Sequence, residues 1–240
     1  MRGLVRVGAA VPSLALGNVK ENMKRHLAMM REAKEKHVSI VTFPELSLTG
    51  YTCGDLFFQR RLLDDVTDAL LTLKDEMPEE IIAVVGAPLE IEGALYNCAV
   101  VLHKGEIISA VPKTFLPNNG EFYEKRWFQS GDARRDAWAA IPKLKTNVCR
   151  QAIFETEDGV RFGIELCEDL WAPLPPSTML SVEGAEIILN LSASNELLSK
   201  REYRQQLISQ QSARCQCGYV YVSALSLIHI SEPTRLALIS

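Results

Sequence analysis

The sequence predicts an α/β protein built as a layered sandwich, and three observations carry that expectation. Apolar strand-like runs alternate with amphipathic helical patterns along most of the chain. Two pairs of neighbouring strand runs are joined by short turn signals, Lys104-Gly105 and Asp158-Gly159, so part of the sheet structure is antiparallel. Three reactive side chains, Glu45, Lys113 and Cys167, each follow a strand-like run. Ligands in open α/β sheets gather at the carboxyl ends of strands, so a carboxylate, an amine and a thiol placed there can share one pocket.

Leu4–Ala10 reads as a first buried strand. Asn18–Lys36 follows as an amphipathic helix, with Asn18 as N-cap and Glu21 at the capping-box position. Val38–Phe43 is a strand, Arg60–Glu76 a helix and Ile81–Ala87 a strand. Tyr96–Leu102 and Glu106–Val111 form a hairpin. The stretch from Pro112 to Trp138 has no strong periodicity. Its length and its aromatics (Phe115, Phe122, Tyr123, Trp127 and Phe128) mark a functional loop, with Trp127 and Phe128 as packing anchors. Ala152–Thr156 and Arg161–Leu166 make a second hairpin. Pro176–Val182 is a short helix, Glu186–Leu191 a strand, Lys200–Arg214 a helix and Tyr219–Ala224 a strand. Helices alternating with paired strands imply layers of helix and sheet.

Composition narrows the function. At 240 residues, 47% hydrophobic and 23% charged, the chain fits an ordinary globular protein with one large domain or two small ones. A net charge of −4 gives no electrostatic case for nucleic acid or anionic lipid. No apolar run approaches the roughly 18 residues of a membrane span. Val7–Leu16 has some of the character of a secretory core, but Pro12 interrupts it and a charged helix follows at once. The six cysteines are too few and too scattered for a disulfide scaffold, which points to a reduced, cytoplasmic setting. Cys215-Gln-Cys217 lacks a second Cys/His pair at zinc spacing and reads as structural.

The thiol is the most informative residue. Arg161-Phe-Gly-Ile-Glu-Leu-Cys-Glu-Asp-Leu-Trp171 is an apolar strand that stops at a thiol flanked by acids. A free thiol is mostly protonated at neutral pH, so attack on an amide carbon needs a nearby base and a cation for the developing oxyanion. Alone, a cysteine ending a strand is more often a small buried hydrophobe. Glu45 and Lys113 at matching strand ends change that balance.

Three segments carry a family resemblance. Phe43-Pro-Glu-Leu-Ser-Leu-Thr-Gly-Tyr-Thr52, Pro112-Lys-Thr-Phe-Leu-Pro-Asn118 and Leu166-Cys-Glu-Asp-Leu-Trp171 resemble the motif blocks of the nitrilase, or carbon–nitrogen hydrolase, superfamily, in that family's order. Gly50-Tyr-Thr-Cys-Gly-Asp-Leu-Phe57, Gly120-Glu-Phe-Tyr-Glu-Lys-Arg-Trp-Phe128 and Asn190-Leu-Ser-Ala-Ser194 are similar to the glutaminase domains of glutamine-dependent NAD synthetases, over roughly residues 4 to 224. The resemblance implies an α-β-β-α sandwich that hydrolyses the glutamine amide through a thioester. Cys167 would be the nucleophile and Glu45 the base. Lys113 and the backbone N–H of Glu168 would be the oxyanion donors, with Glu121 orienting Lys113. Tyr51, Asn119, Glu124, Ser194 and Lys200 would bind the substrate. Asn119 stands where that subfamily usually carries Tyr.

The same resemblance implies no cofactor or metal for the amide step. ATP and Mg would belong to a synthetase domain, normally in cis, whose Ser-Gly-Gly-x-Asp-Ser loop does not occur here. It also implies glutamine as the substrate and a homo-oligomer, with no nucleic-acid or membrane partner. Residues 1–224 are therefore expected to form the hydrolase domain, short of the sandwich's last strands. Leu225–Ser240 fits no cap or turn logic and reads as a non-native tail of translated adapter sequence. A stand-alone amidase for another small amide, and a non-catalytic gene fragment, are the alternative readings.

Overall fold

The computed structural model describes residues 5–133, 138–195, 197–224 and 238–239. Two sheets lie face to face with helices outside each, in four layers. The first sheet has the order β1-β2-β3-β4-β5-β7-β6. Its strands are β1 (Val7–Ala9), β2 (Ile40–Thr42), β3 (Ile82–Ile91), β4 (Ala94–His103), β5 (Glu106–Pro112), β6 (Trp138–Ile141) and β7 (Thr146–Cys149). The second has the order β12-β11-β10-β9-β8, with β8 (Ile153–Glu155), β9 (Arg161–Leu166), β10 (Ile187–Ser192), β11 (Gly218–Ser223) and β12 (Leu238–Ile239). β1, β2 and β3 run parallel, as do β9, β10 and β11, while β3-β4-β5 and β8-β9 are antiparallel hairpin pairings.

Three apolar clusters define the layers. Between the sheets, Ile40, Val84, Ala99, Val101 and Val111 of the first meet Phe162, Ile164, Leu166, Leu189, Leu191, Val220 and Val222 of the second. Period-2 alternation sends these residues inward and their neighbours to the opposite face. That outer face of the first sheet packs on α1 (Val19–Glu35) and α2 (Arg60–Glu76), whose Leu27, Met30, Val66, Leu70 and Leu73 recur at helical spacing. The outer face of the second sheet packs on α4 (Pro176–Val182) and α5 (Lys200–Cys215) through Leu180, Ile208 and Tyr219. An α-β-β-α sandwich results.

The expected elements recur with small shifts at their ends. Asn18 caps α1 by accepting the Glu21 N–H at 3.2 Å. Lys104 and Gly105, both at positive φ, make the β4–β5 turn. The functional loop holds one helical turn, α3 (Glu124–Trp127), and Phe57 packs against Trp127 and Phe128 at ring distances of 5.9 and 5.0 Å. The sequence reading missed the β6–β7 hairpin and the 3-10 turns over Tyr51–Phe58. Of the tail, Leu238–Ile239 pairs antiparallel with Val220 and Tyr221, and 225–237 and 240 lie outside the described residues. Among the described residues no helix is long and apolar enough to cross a membrane.

Candidate active site

The strand directions bring β2, β5, β9 and β10 to their carboxyl ends on one side of the sandwich, two from each sheet. Glu45 follows β2 in a tight loop that lies directly on β3. A Cβ on Gly86 would come within 2.3 Å of the Pro44 carbonyl oxygen and 2.4 Å of the Leu46 nitrogen, so only glycine admits this approach. Helix α1 holds the same loop from behind. Asn22 donates to the Leu48 carbonyl at 3.0 Å, and His26 Nε2 meets Ser47 Oγ at 2.8 Å. His26 Nδ1 donates to the Asn22 carbonyl at 2.7 Å, so Nε2 is the acceptor of the serine hydroxyl. Burial lowers the His26 pKa to about 4, and the ring is neutral.

Lys113, the residue after β5, is wholly buried. Its ammonium donates to Glu45 Oε1 at 2.6 Å and to Glu124 Oε1 at 2.5 Å. Tyr51 donates its hydroxyl to Glu124 Oε1 at 2.6 Å. Asn97, a polar residue in the middle of apolar β4, donates to Glu45 Oε1 at 2.7 Å and more weakly to Glu124 Oε2 at 3.4 Å. Burial works against the Lys113 charge, but the Glu124 and Glu45 carboxylates outweigh it and hold its pKa above the ordinary lysine value. Burial raises Glu45 to about 7 against the pull of Lys113, and the Glu124 charge adds to the rise. Glu45 Oε2 is buried and has no hydrogen-bond partner among the described residues, an open acceptor within the cluster.

Cys167 begins a short 3-10 turn immediately after β9, at a φ of 43° that non-glycine residues seldom adopt. Such strain concentrates at functional turns. The thiol is buried, and burial followed by the nearby Glu45 charge lifts its pKa to about 12, partly opposed by Lys113. At neutral pH it is a thiol and not a thiolate. Cys167, Glu45 and Lys113 thus share one enclosed electrostatic environment.

Sequence reasoning assigned Glu121 to orient Lys113; in the structure the carboxylate bonded to Lys113 beside Glu45 is that of Glu124. The one-turn helix α3 swings Glu124 inward, where it is 1% exposed and bonded to Lys113, whereas Glu121 lies at the rim and accepts a hydrogen bond from Asn195. Lys200 donates to the same Asn195 and sits over the rings of Trp171 and Phe122, at 5.4 and 5.8 Å. Ser194 is buried beside Arg204, 3.5 Å from its guanidinium. Asn119 is exposed on the loop, with its carbonyl accepting from Phe122. Glu168 is half-buried, and burial raises its carboxyl pKa. Asn97 was missed, although a lone amide in an otherwise apolar strand is the signal that would have found it. No group of three or more His, Cys, Asp or Glu side chains suited to a metal occurs among the described residues.

The two-sheet α-β-β-α sandwich is the fold the motif resemblance implied. The chain belongs to the carbon–nitrogen hydrolase family, whose profile matches residues 6–226. It is 37% identical over 225 residues to the glutamine-dependent NAD(+) synthetase of Mycobacterium tuberculosis, covering 92% of this chain and 33% of that protein. The Rattus norvegicus glutamine-dependent NAD(+) synthetase is 30% identical over 212 residues, covering 85% of this chain and 29% of that protein. A glutamine-dependent NAD(+) synthetase structure from Cytophaga hutchinsonii superposes with a TM-score of 0.80 at 30% identity, covering 92% of this chain and 36% of that one. A Saccharomyces cerevisiae member of branch 10 of the nitrilase superfamily shares the fold at 18% identity and a TM-score of 0.73, covering 98% of this chain and 81% of its own. The chain spans about a third of the length of the curated relatives it matches.

Proposed function

We propose that this chain is a glutaminase unit. In this reading it releases ammonia from the glutamine side-chain amide for an NAD-forming synthetase reaction. The observation that carries the reading is the buried Lys113 ammonium, clamped between Glu45 and Glu124 in the same enclosure as the strained Cys167. The names of the most similar relatives supply the substrate.

The chemistry follows from the geometry. Cys167 Sγ attacks the amide carbon, and its proton passes to Glu45 as the sulfur–carbon bond forms. With the thiol at about 12 and Glu45 at about 7, transfer accompanies attack instead of preceding it. Two of the three Lys113 N–H bonds are taken by the glutamates, and the third, with the Glu168 backbone N–H, receives the oxyanion. Glu45 returns the proton to the leaving nitrogen, the carbon–nitrogen bond breaks and ammonia departs. Water then attacks the thioester, giving up a proton to Glu45; the carbon–sulfur bond breaks, Glu45 returns that proton to the sulfur, and product glutamate leaves with the Cys167 thiol regenerated. Glu124 and Tyr51, joined by their hydrogen bond, form the inner wall of the substrate site, with Ser194 buried nearby and Lys200 and Asn119 at its rim.

The step needs no cofactor from this chain, and ATP and Mg belong to the synthetase reaction. A homo-oligomeric assembly in the cytoplasm accompanies the reading. The deciding experiment compares glutamine with simple aliphatic amides, using wild type and Cys167→Ala. Glutamine is expected to be the faster substrate, with turnover abolished in Cys167→Ala. Faster hydrolysis of aliphatic amides would establish a stand-alone amidase. Activity of Cys167→Ala above a few per cent of wild type would remove the cysteine from the mechanism.

A further inference from the structure

Asp169 has no part in the chemistry above, yet it is only 1% exposed and lies two residues beyond Cys167. Its carboxyl group accepts three backbone N–H bonds; burial raises its pKa well above the ordinary carboxylate range, opposed by the Leu166 and Phe115 N–H groups. Oδ2 takes the N–H of Leu166, the residue before the nucleophile, at 2.9 Å. Oδ1 takes the N–H groups of Thr114 and Phe115, the two residues after Lys113, at 3.1 and 2.7 Å. One side chain therefore grips the backbone beside the thiol in the second sheet and the backbone beside the lysine in the first.

The local consequences are specific. By taking the Leu166 N–H, Asp169 closes the turn that forces Cys167 to its φ of 43°. On the other side, the Lys113 carbonyl is held by the Gly131 N–H at 2.8 Å, and the Thr114 carbonyl by Ser130 Oγ at 2.5 Å. Asp169 completes that restraint from the opposite sheet. The core between the two sheets is apolar, and apolar contact is non-directional; these three bonds supply direction where nucleophile and oxyanion donor must be held in register.

We propose that Asp169 is a positioning residue that sets the separation of Cys167 from Lys113 by fixing the backbone next to each. The proposal rests on the thiol-hydrolase reading above. A misplacement of about 1 Å at a reacting centre can cost on the order of 10²-fold in rate. Asparagine in place of Asp169 replaces one acceptor oxygen with an amide N–H₂ that faces backbone donors. Glutamate keeps both acceptor oxygens but lengthens the reach.

The test uses the whole chain. For wild type, Asp169→Asn and Asp169→Glu, three quantities are measured: kcat and KM for glutamine, the rate of Cys167 alkylation by iodoacetamide, and the folded fraction from thermal melts. Hydrolysis requires thiol and lysine in register, whereas alkylation requires the thiol alone. In Asp169→Asn, kcat per folded molecule should fall roughly 10²-fold while KM moves by less than about threefold. Alkylation per folded molecule should fall far less, and Asp169→Glu should lie between the two. If kcat per folded molecule stays within about threefold of wild type, or hydrolysis and alkylation fall in parallel, the proposal is overturned. Should Asp169→Asn not fold, the same comparison in Asp169→Glu decides. Failure of both to fold would make Asp169 a purely structural residue and also overturn it. Retained activity in Cys167→Ala would instead remove the underlying reading.

Discussion

Lys113 is a fully buried ammonium facing two carboxylates, so with all three ionised the cluster carries one uncompensated negative charge. A buried charge without a partner is costly, and the cluster relieves that cost by holding Glu45 partly protonated near neutral pH. Two predictions follow at this scale. A base must be ionised to act, so kcat/KM should fall about tenfold per pH unit below about 7, which a pH–rate profile will show. Glu45→Gln should flatten the residual profile and cost at least roughly 10²-fold in rate. The second concerns stability. A carboxyl raised from 4.5 to about 7 on folding contributes stability that is fully present below 4.5 and lost as pH rises through about 7. Glu45→Gln should therefore come within about 1 kcal/mol of wild-type stability at pH 5 and exceed it at pH 8.5 by on the order of 3 kcal/mol. Paired melts at the two pH values check this. A variant that is inactive yet more stable at high pH would mark Glu45 as a residue kept for chemistry at the expense of folding.

At the scale of elements, the strand ends holding the reactive groups were legible because period-2 runs stop abruptly at Glu45, Lys113 and Cys167. Helix α2 was placed to the residue, since its apolar positions recur without interruption. The β6–β7 hairpin was not legible: its strands are four residues each, and a 3-10 turn with Lys145 at positive φ joins them. The inward turn of Glu124 was equally hidden. It depends on a single helical turn inside a loop, and one turn is too short to leave a periodic signature. Contacts such as Asn97 to Glu45 span 52 residues and arise only when the first sheet assembles. Gly86 offers a test here, because its missing side chain is what seats the Glu45 loop on β3. Gly86→Ala should lower stability by about 1–3 kcal/mol, the usual cost of overpacking a core that cannot move aside. It should also reduce kcat by more than tenfold, since Glu45 is displaced with the Pro44–Leu46 backbone. Thermal melts and glutaminase assays on one preparation would separate the two effects.

For the whole molecule, the remaining question is what residues 225–240 contribute. The family profile ends at residue 226, one strand after β10, and the stretch beyond it was read as a tail. Its described part, Leu238–Ile239, adds a two-residue strand to β11 through Val220 and Tyr221. A sheet edge presents unpaired N–H and C=O groups that accept almost any extended segment, so two paired residues do not require a sequence selected for the place. The inter-sheet core is meanwhile built from β2, β3, β4, β5, β9, β10 and β11, all before residue 225. We therefore expect deletion of Leu225–Ser240 to leave the melting temperature unchanged or raised, with glutaminase activity retained. The bared β11 edge should show itself instead as faster, concentration-dependent aggregation on heating, measurable by light scattering. A loss of stability beyond about 1 kcal/mol would mean that the segment packs as a real element of the sandwich. The domain boundary at residue 224 would then be wrong, and the layers would depend on the whole chain to its end.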